Sequence, residues 1–263
     1  MSVIPPPASR PRDGGRVVLW DAAFGSQSPL FWPLSGAIAR VVAEMERAAS
    51  GGETAFPQPE TIDAALGPHS GMRFERERPV SRRRRKPRPP SSMYDARIAK
   101  EGCVPTRPGS WHDLMNALVW ATFPLAKRAL HRRQHELVVP ALPGESVRRP
   151  RELDALALLD EGGLVLTTDA PLPVLADRAA AEAQLEAELE AGRATAFVFG
   201  HAIYEGIVLG RSAPLASVVC VACPQSSVAA ADRALAAVVA DRDQIVEPSA
   251  MLRLRADERL VPR

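Results

Sequence analysis

The sequence predicts a single mixed α+β domain in which helices pack on a small β-sheet. The 263 residues are 46% hydrophobic and 24% charged, as in soluble globular proteins, and suffice for one large domain or two small ones. Apolar residues recur at three- and four-residue steps in several long segments, which is typical of helices, whereas other apolar runs are short, as in strands. Because aromatic residues make up only 5%, we expect Ala, Leu and Val to fill the core.

Helical periodicity predicts helices along most of the chain. In the first, Leu34, Ile38 and Met45 lie on one face, and the pair Gly51-Gly52 ends the pattern. The predicted helices cover residues 34–49, 93–101, 111–123, 125–137, 175–191, a segment that begins near His201, and residues 228–241.

Four short apolar segments are predicted as the strands of the sheet. They are residues 151–159, 164–168, 194–199 and 217–222. The first two flank Asp160-Glu161-Gly162-Gly163, which is typical of a hairpin turn. A turn by itself accounts for Asp160, and an acidic site at the strand ends is the alternative.

Composition also predicts the ends of the domain. Residues 1–16 are rich in Pro and Arg and are predicted to be a disordered tail, residues 17–246 to form the domain, and residues 247–263 to form a C-terminal tail. Within the domain, residues 73–92 are predicted to be a basic loop that is rich in Pro and Arg.

The charge balance limits the classes of partner. The 33 basic and 31 acidic residues give a net charge of +2, which excludes a globally basic nucleic-acid-binding protein. No apolar run reaches the roughly 18–20 residues of a membrane helix, and residues 1–16 lack the apolar stretch of a secretory signal. With only three cysteines, we expect a cytoplasmic, bacterial protein without a membrane span.

The basic loop is the one strongly charged segment. Residues 73–88 contain nine basic and two acidic residues, a local charge of +7, and prolines flank the run of basic residues 82–86. A solvated loop explains this composition. The alternative is a weak contact of Arg82–Arg88 with a polyanion, either nucleic acid or anionic lipid.

The helix predicted at residues 111–123 combines apolar faces with polar residues. His112 and Asn116 are four residues apart and share one face, and Asp113 is adjacent. Buried imidazole, carboxylate and carboxamide groups need partners, so the pattern predicts a polar cluster at the edge of the core. As the structural alternative, Ser110 and Asp113 form a helix-capping pattern, and His112 binds the backbone.

A second polar pair begins the predicted helix after Phe199-Gly200. His201 and Glu205 are four residues apart on one face, a spacing that lets both bind one metal ion or lets Glu205 orient His201. An intrahelical hydrogen bond is the alternative. His131 and His135 have the same spacing, but the arginines around them predict an exposed basic face.

Several sequence blocks are shared with a known family. Trp-His-Asp-x-x-Asn-Ala-Leu at residues 111–118 is the most specific, and Phe-Gly-His-Ala at 199–202 with Glu205 is another. Together they resemble the domain of unknown function 3025 family of proteobacteria, over roughly residues 20–241. The resemblance implies a domain type and a bacterial source, but no reaction.

The polar pairs predict a metal-dependent, hydrolase-like enzyme that acts on a small molecule. In this hypothesis a divalent metal ion is bound by His112, His201 and Glu205 and generates a nucleophilic hydroxide from water. Asp113 is a further ligand or the general base, Asn116 positions the substrate and Arg107 binds an anionic group. The alternative is a binding module without enzyme activity, in which the same residues form a structural network and the basic loop binds polyanions.

Overall fold

A computed structural model describes residues 19–48, 55–77, 94–138, 150–169, 177–223 and 227–262. In these ranges, helices and two small sheets enclose one contiguous hydrophobic core, which confirms the predicted single α+β domain. The predicted N-terminal tail and the Arg82–Arg88 segment lie outside the described residues.

The helices begin and end mostly where the periodicity places them. Helices α4 and α5 are separated at Phe123, because Pro124 has no N–H to continue the hydrogen-bond pattern of α4. Helix α2 was not predicted. The bounds are α1 Ser35–Ala48, α2 Pro59–Ser70, α3 Tyr94–Glu101, α4 Trp111–Thr122, α5 Pro124–Val138, α6 Arg151–Gly162, α7 Arg178–Glu190, α8 His201–Val208 and α9 Val228–Ala240.

Two sheets support these helices. The larger has the order β4-β3-β5-β6, in which β3 runs parallel to β5 and the other neighbouring pairs are antiparallel. The smaller joins β1 and β2 in parallel. The strands are β1 Arg73–Arg76, β2 Cys103–Thr106, β3 Gly163–Thr168, β4 Ala194–Val198, β5 Leu215–Ala222 and β6 Leu252–Arg255.

The predicted strand at residues 151–159 is wrong, because this segment belongs to helix α6. Ala155, Leu156 and Leu159 are buried at helical spacing. Glu152 and Asp154 lie in the first turn, where negative charges stabilise the helix dipole. The glycines that suggested a hairpin instead end α6 and begin β3.

Two segments predicted to be irregular contribute strands. Residues 73–76, predicted as the start of the basic loop, form β1 and pair with β2. The segment after residue 246, predicted as a tail, contains β6, which extends the larger sheet beside β5. Met251 and Leu254 are buried there, so their packing explains why this polar segment is ordered.

A close backbone contact joins the end of α6 to the start of α8. Gly200 N donates to Gly163 O at 2.9 Å, so β3 and the residue before α8 are directly hydrogen-bonded. A Cβ atom at Gly200 would lie 2.4 Å from Gly163 N and 2.6 Å from Glu161 O, which is too close for any side chain. The contact therefore brings His201 next to the last residues of α6.

Within the described ranges, no helix combines the length and the apolar character that a bilayer crossing needs. The cytoplasmic location stays a prediction.

Candidate metal centre

Two histidines from distant parts of the chain meet at the ends of two helices. His112 is the second residue of α4, and His201 is the first residue of α8. Their Nε2 atoms are 3.1 Å apart, and the ring planes are inclined by 76°. His201 is buried, whereas the side chain of His112 is one-third exposed. The two polar pairs found in the sequence thus form one cluster.

The partners of the Nδ1 atoms determine where the ring lone pairs lie. A carbonyl oxygen only accepts hydrogen bonds, so His201 Nδ1–H donates to Asp160 O at 2.8 Å and the lone pair is on Nε2. His112 Nδ1–H donates to the Glu205 carboxylate at 3.0 Å. When both rings are neutral, two lone pairs therefore face each other across 3.1 Å. This contact is repulsive unless a proton or a metal ion lies between the nitrogens.

The surroundings shift the pKa values of the two rings in opposite directions. Burial lowers the pKa of His201 to about 3, which keeps this ring neutral near pH 7. The hydrogen bond with Glu205 raises the pKa of His112. His112 is thus the ring that takes up a proton when no cation bridges the pair. Because a metal ion and this proton would use the same Nε2 lone pairs, they compete for them.

Glu161 adds a carboxylate to the two imidazoles. Its Oε2 lies 3.4 Å from His201 Nε2, and one ligand atom from each of His112, Glu161 and His201 lies within 4.8 Å of the others. Two nitrogens that bind one ion at about 2.0–2.1 Å, with an angle of about 90–109° between the bonds, are about 2.8–3.4 Å apart. The observed distance of 3.1 Å between the nitrogens falls in this range. The three side chains therefore lie close enough together to hold one metal ion.

A buried lysine lies behind the histidines. Lys127 Nζ is completely buried, forms an ion pair with Asp160 and donates to Asn116 Oδ1 at 2.8 Å. Asn116 Nδ2 in turn donates to the Tyr94 hydroxyl at 2.8 Å. Burial opposes ionisation of Asp160, but the positive charge of Lys127 keeps the pKa of this carboxyl below its usual range. The network holds Asp160 in place, and the carbonyl oxygen of Asp160 orients the ring of His201.

Asp113 and Arg107 form an ion pair next to the histidines. The guanidinium of Arg107 donates to both carboxylate oxygens of Asp113, at 2.7 and 2.9 Å. Ser110 Oγ accepts a hydrogen bond from Asp113 N at 3.2 Å, so Ser110 caps α4 as the structural alternative predicted. The carboxylate of Asp113 binds Arg107 instead of closing the capping box.

Most of these groups line one cavity of about 430 Å³, whereas Lys127 and Glu205 lie outside its lining. Of the six residues predicted for the site, the structure brings Arg107, His112, Asp113, Asn116 and His201 to its lining. Glu205, predicted as a metal ligand, lies on the Nδ1 side of His112, while the carboxylate next to His201 Nε2 and within 4.8 Å of a His112 ring nitrogen is that of Glu161. The volume is that of a site for a small molecule.

The predicted exposed basic face is wrong for His131 and Arg133, which are buried, whereas Arg128 and Arg132 are exposed. His131 is 2% exposed, its ring stacks on Trp120 with 5.3 Å between centroids, and its Nε2 lies 4.0 Å from Asp160 Oδ2. Tyr94 on α3, Trp120 on α4 and Asp160 on α6 surround the ring and cover it. His131 thereby becomes part of the inner wall of the cavity.

The sequence places Glu161 only in the alternative of an acidic site at strand ends and gives Lys127 no role in the site. The turn pattern of Asp160-Glu161-Gly162-Gly163 does not indicate that Glu161 lies beside the histidines. A signal for Lys127 was present, since this lysine is on the same helix face as the buried Ala126 and Leu130. A charged residue on a buried face indicates a buried ion pair.

Comparisons with known proteins give one match. A family model described as "Protein of unknown function (DUF3025)" matches residues 82–258, which include every residue of the cluster. Neither the curated proteins nor the solved structures contain a significant match.

Proposed function

The chain belongs to the DUF3025 family, and we propose that it is a metal-dependent hydrolase whose divalent ion is bound by His112 Nε2, His201 Nε2 and the Glu161 carboxylate. One observation carries this proposal: two imidazole nitrogens face each other at 3.1 Å while both Nδ1 atoms are already hydrogen-bonded. A metal ion converts this repulsion into coordination by both lone pairs.

The ligand set favours catalysis over a purely structural role. Catalytic zinc sites use three protein ligands, among them two histidines with one glutamate, and keep a fourth position for water. Here the side chain of Glu161 is half exposed and borders the cavity, so a fourth position is accessible from that side. A bound divalent ion lowers the pKa of its water and supplies a hydroxide nucleophile near neutral pH.

The residues around the ligands fit this role. Glu205 and the carbonyl oxygen of Asp160 accept the Nδ1–H groups, as the second-shell partners of metal-binding histidines do. These hydrogen bonds fix the tautomers that leave Nε2 free for the metal. Asn116 supports the wall through Lys127, and Arg107 with Asp113 borders the cavity through which a small substrate enters.

Metal analysis of protein purified without a polyhistidine tag tests the proposal. We expect about one equivalent of a divalent transition metal per chain, and loss of this metal in His201→Ala and Glu161→Gln. His69→Ala is the matched control, because His69 is an exposed histidine on α2. It should retain the metal.

A metal content far below stoichiometric that neither site variant changes would contradict the proposal. The identity of the metal adds a second criterion, because two histidines and one carboxylate also hold Fe(II) in oxygenases. Zinc, cobalt or manganese supports hydrolysis, and a protein active only with Fe(II) in an oxygen-consuming reaction would contradict it.

A further inference from the structure

Gln134 is an unexplained polar residue in the wall of the cavity. It lies on α5, is only 7% exposed and lines the same cavity as the two histidines. Within the part of the chain that the structure describes, its Oε1 has no hydrogen-bond partner although the atom is buried. Buried acceptors without a partner are rare and costly, so this atom indicates a missing donor.

The charges around the cavity indicate which donor is missing. Arg107 is the guanidinium of the described lining, and it is already paired with Asp113 and further stabilised by the charges of Glu77 and Glu205. The charge of Lys127 is taken up by Asp160 in the same way.

The divalent ion of the proposed function adds no excess charge either. Its two positive charges are balanced by the carboxylates of Glu161 and Glu205. An anionic substrate would therefore have to displace Asp113 from Arg107, whereas an uncharged substrate fits the cavity without breaking an ion pair.

We propose that the cavity binds a small uncharged substrate with a carboxamide-type group, and that the side chain of Gln134, whose Oε1 is shielded from the cavity in the ligand-free protein, turns to pair with this group while the reacting carbonyl lies at the ion. A carboxamide has an acceptor and a donor side by side, so two of them form a matched pair of hydrogen bonds. This inference rests on the proposed metal site and specifies its substrate class.

Two matched metal-binding probes test the inference. Both carry a hydroxamate, which binds the ion, on a short aliphatic linker made in a small series of lengths; one ends in a primary carboxamide and the other in a carboxylate of the same size. Isothermal titration of the metal-loaded protein should show that the carboxamide probe binds about tenfold more tightly than the carboxylate probe.

Gln134→Leu should remove this preference and leave hydroxamate binding intact. Gln184→Leu, a substitution on α7, is the control and should keep the preference. If Gln134→Leu does not fold, Gln134→Met serves the same purpose, since its side chain is also unbranched and lacks the amide.

Each other result overturns the inference. Equal affinities, tighter binding of the carboxylate probe, no binding of either probe to metal-loaded protein, or a preference that survives in the Gln134 variants would exclude the carboxamide contact. In these cases the protein still holds its metal. Failure of the proposed function is different, because the purified protein then contains no metal and no metal can be loaded.

Discussion

Arg133 and Gln134 are neighbours on helix α5 and are almost equally buried, yet they differ in hydrogen bonding: every N–H group of Arg133 has an acceptor, whereas the carboxamide oxygen of Gln134 has no donor among the described residues. The five N–H groups of Arg133 make five hydrogen bonds, one to Glu152 and four to the main-chain carbonyls of Val239, Asp241, Arg242 and Gln244. Gln134 Oε1, by contrast, has no partner among the described residues.

The difference separates structural polar groups from candidate functional ones. A buried side chain with all its donors used holds the fold together, and Arg133 does so by tying α5 to the segment that follows α9. A buried group that the fold leaves incomplete is tolerated where a ligand completes it. His112 and His201 resemble Gln134 in this respect, because their facing Nε2 lone pairs also lack a partner unless a proton or a metal ion is bound.

The largest expected effect is that of Arg133→Met. It leaves Glu152 and four carbonyl groups without their donor, and we expect a loss of about 3–5 kcal/mol in the free energy of unfolding. Urea denaturation measures this loss. Arg132→Met, at the exposed neighbouring position, should change stability by less than about 0.5 kcal/mol. Similar values for both variants would contradict the structural role of Arg133.

Asn116→Ala should have an intermediate effect. It removes the acceptor of Lys127 Nζ and the donor to the Tyr94 hydroxyl, so we expect a loss of about 1–3 kcal/mol by the same measurement. Asn116→Asp keeps an acceptor for Lys127 and should lose clearly less. A neutral or stabilising Asn116→Ala would move Asn116 from the structural group to the functional one.

Gln134→Leu should have the smallest effect on stability. Since the carboxamide oxygen has no partner to lose, we expect a change between about zero and a gain of 1 kcal/mol in the free energy of unfolding. Thermal and urea unfolding of the ligand-free protein measure it. A loss of about 2 kcal/mol or more would show that Gln134 makes a structural contact and would remove the contrast with Arg133.

Local sequence patterns predicted the secondary structure correctly where the apolar residues follow only one spacing, either helical or alternating. Helices α1, α4 and α9 have their apolar residues at helical spacing, and the structure confirms them. In α6, however, Leu153, Ala155, Ala157 and Leu159 also alternate, so the segment fits a strand equally well. Strand β1 has four residues, and its partner β2 lies far along the chain, so no local pattern indicates the pairing.

The same limit applies to the candidate site. The sequence could identify His112 and His201 as site residues because each lies at the start of a predicted helix and is followed by a second polar residue one turn later. Their convergence depends on contacts between α4 and α8, which spacing does not encode. The sequence offers Glu161 only as part of an acidic site at strand ends, because its place beside the rings follows from the packing of Gly200 on the end of α6, a tertiary contact.

That glycine contact has a mechanical consequence. Because the backbones at residues 161–163 and 200 touch with no side chain between them, the backbone segments that carry Glu161 and His201 are held together. Of the three proposed ligands, His112 lies on a separate helix, so α4 can shift without breaking this backbone contact. In the proposed site, a larger ion with longer bonds would be accommodated by movement of α4 or of the half-exposed Glu161 side chain, and selectivity for ionic radius would depend on how tightly α4 packs against α8.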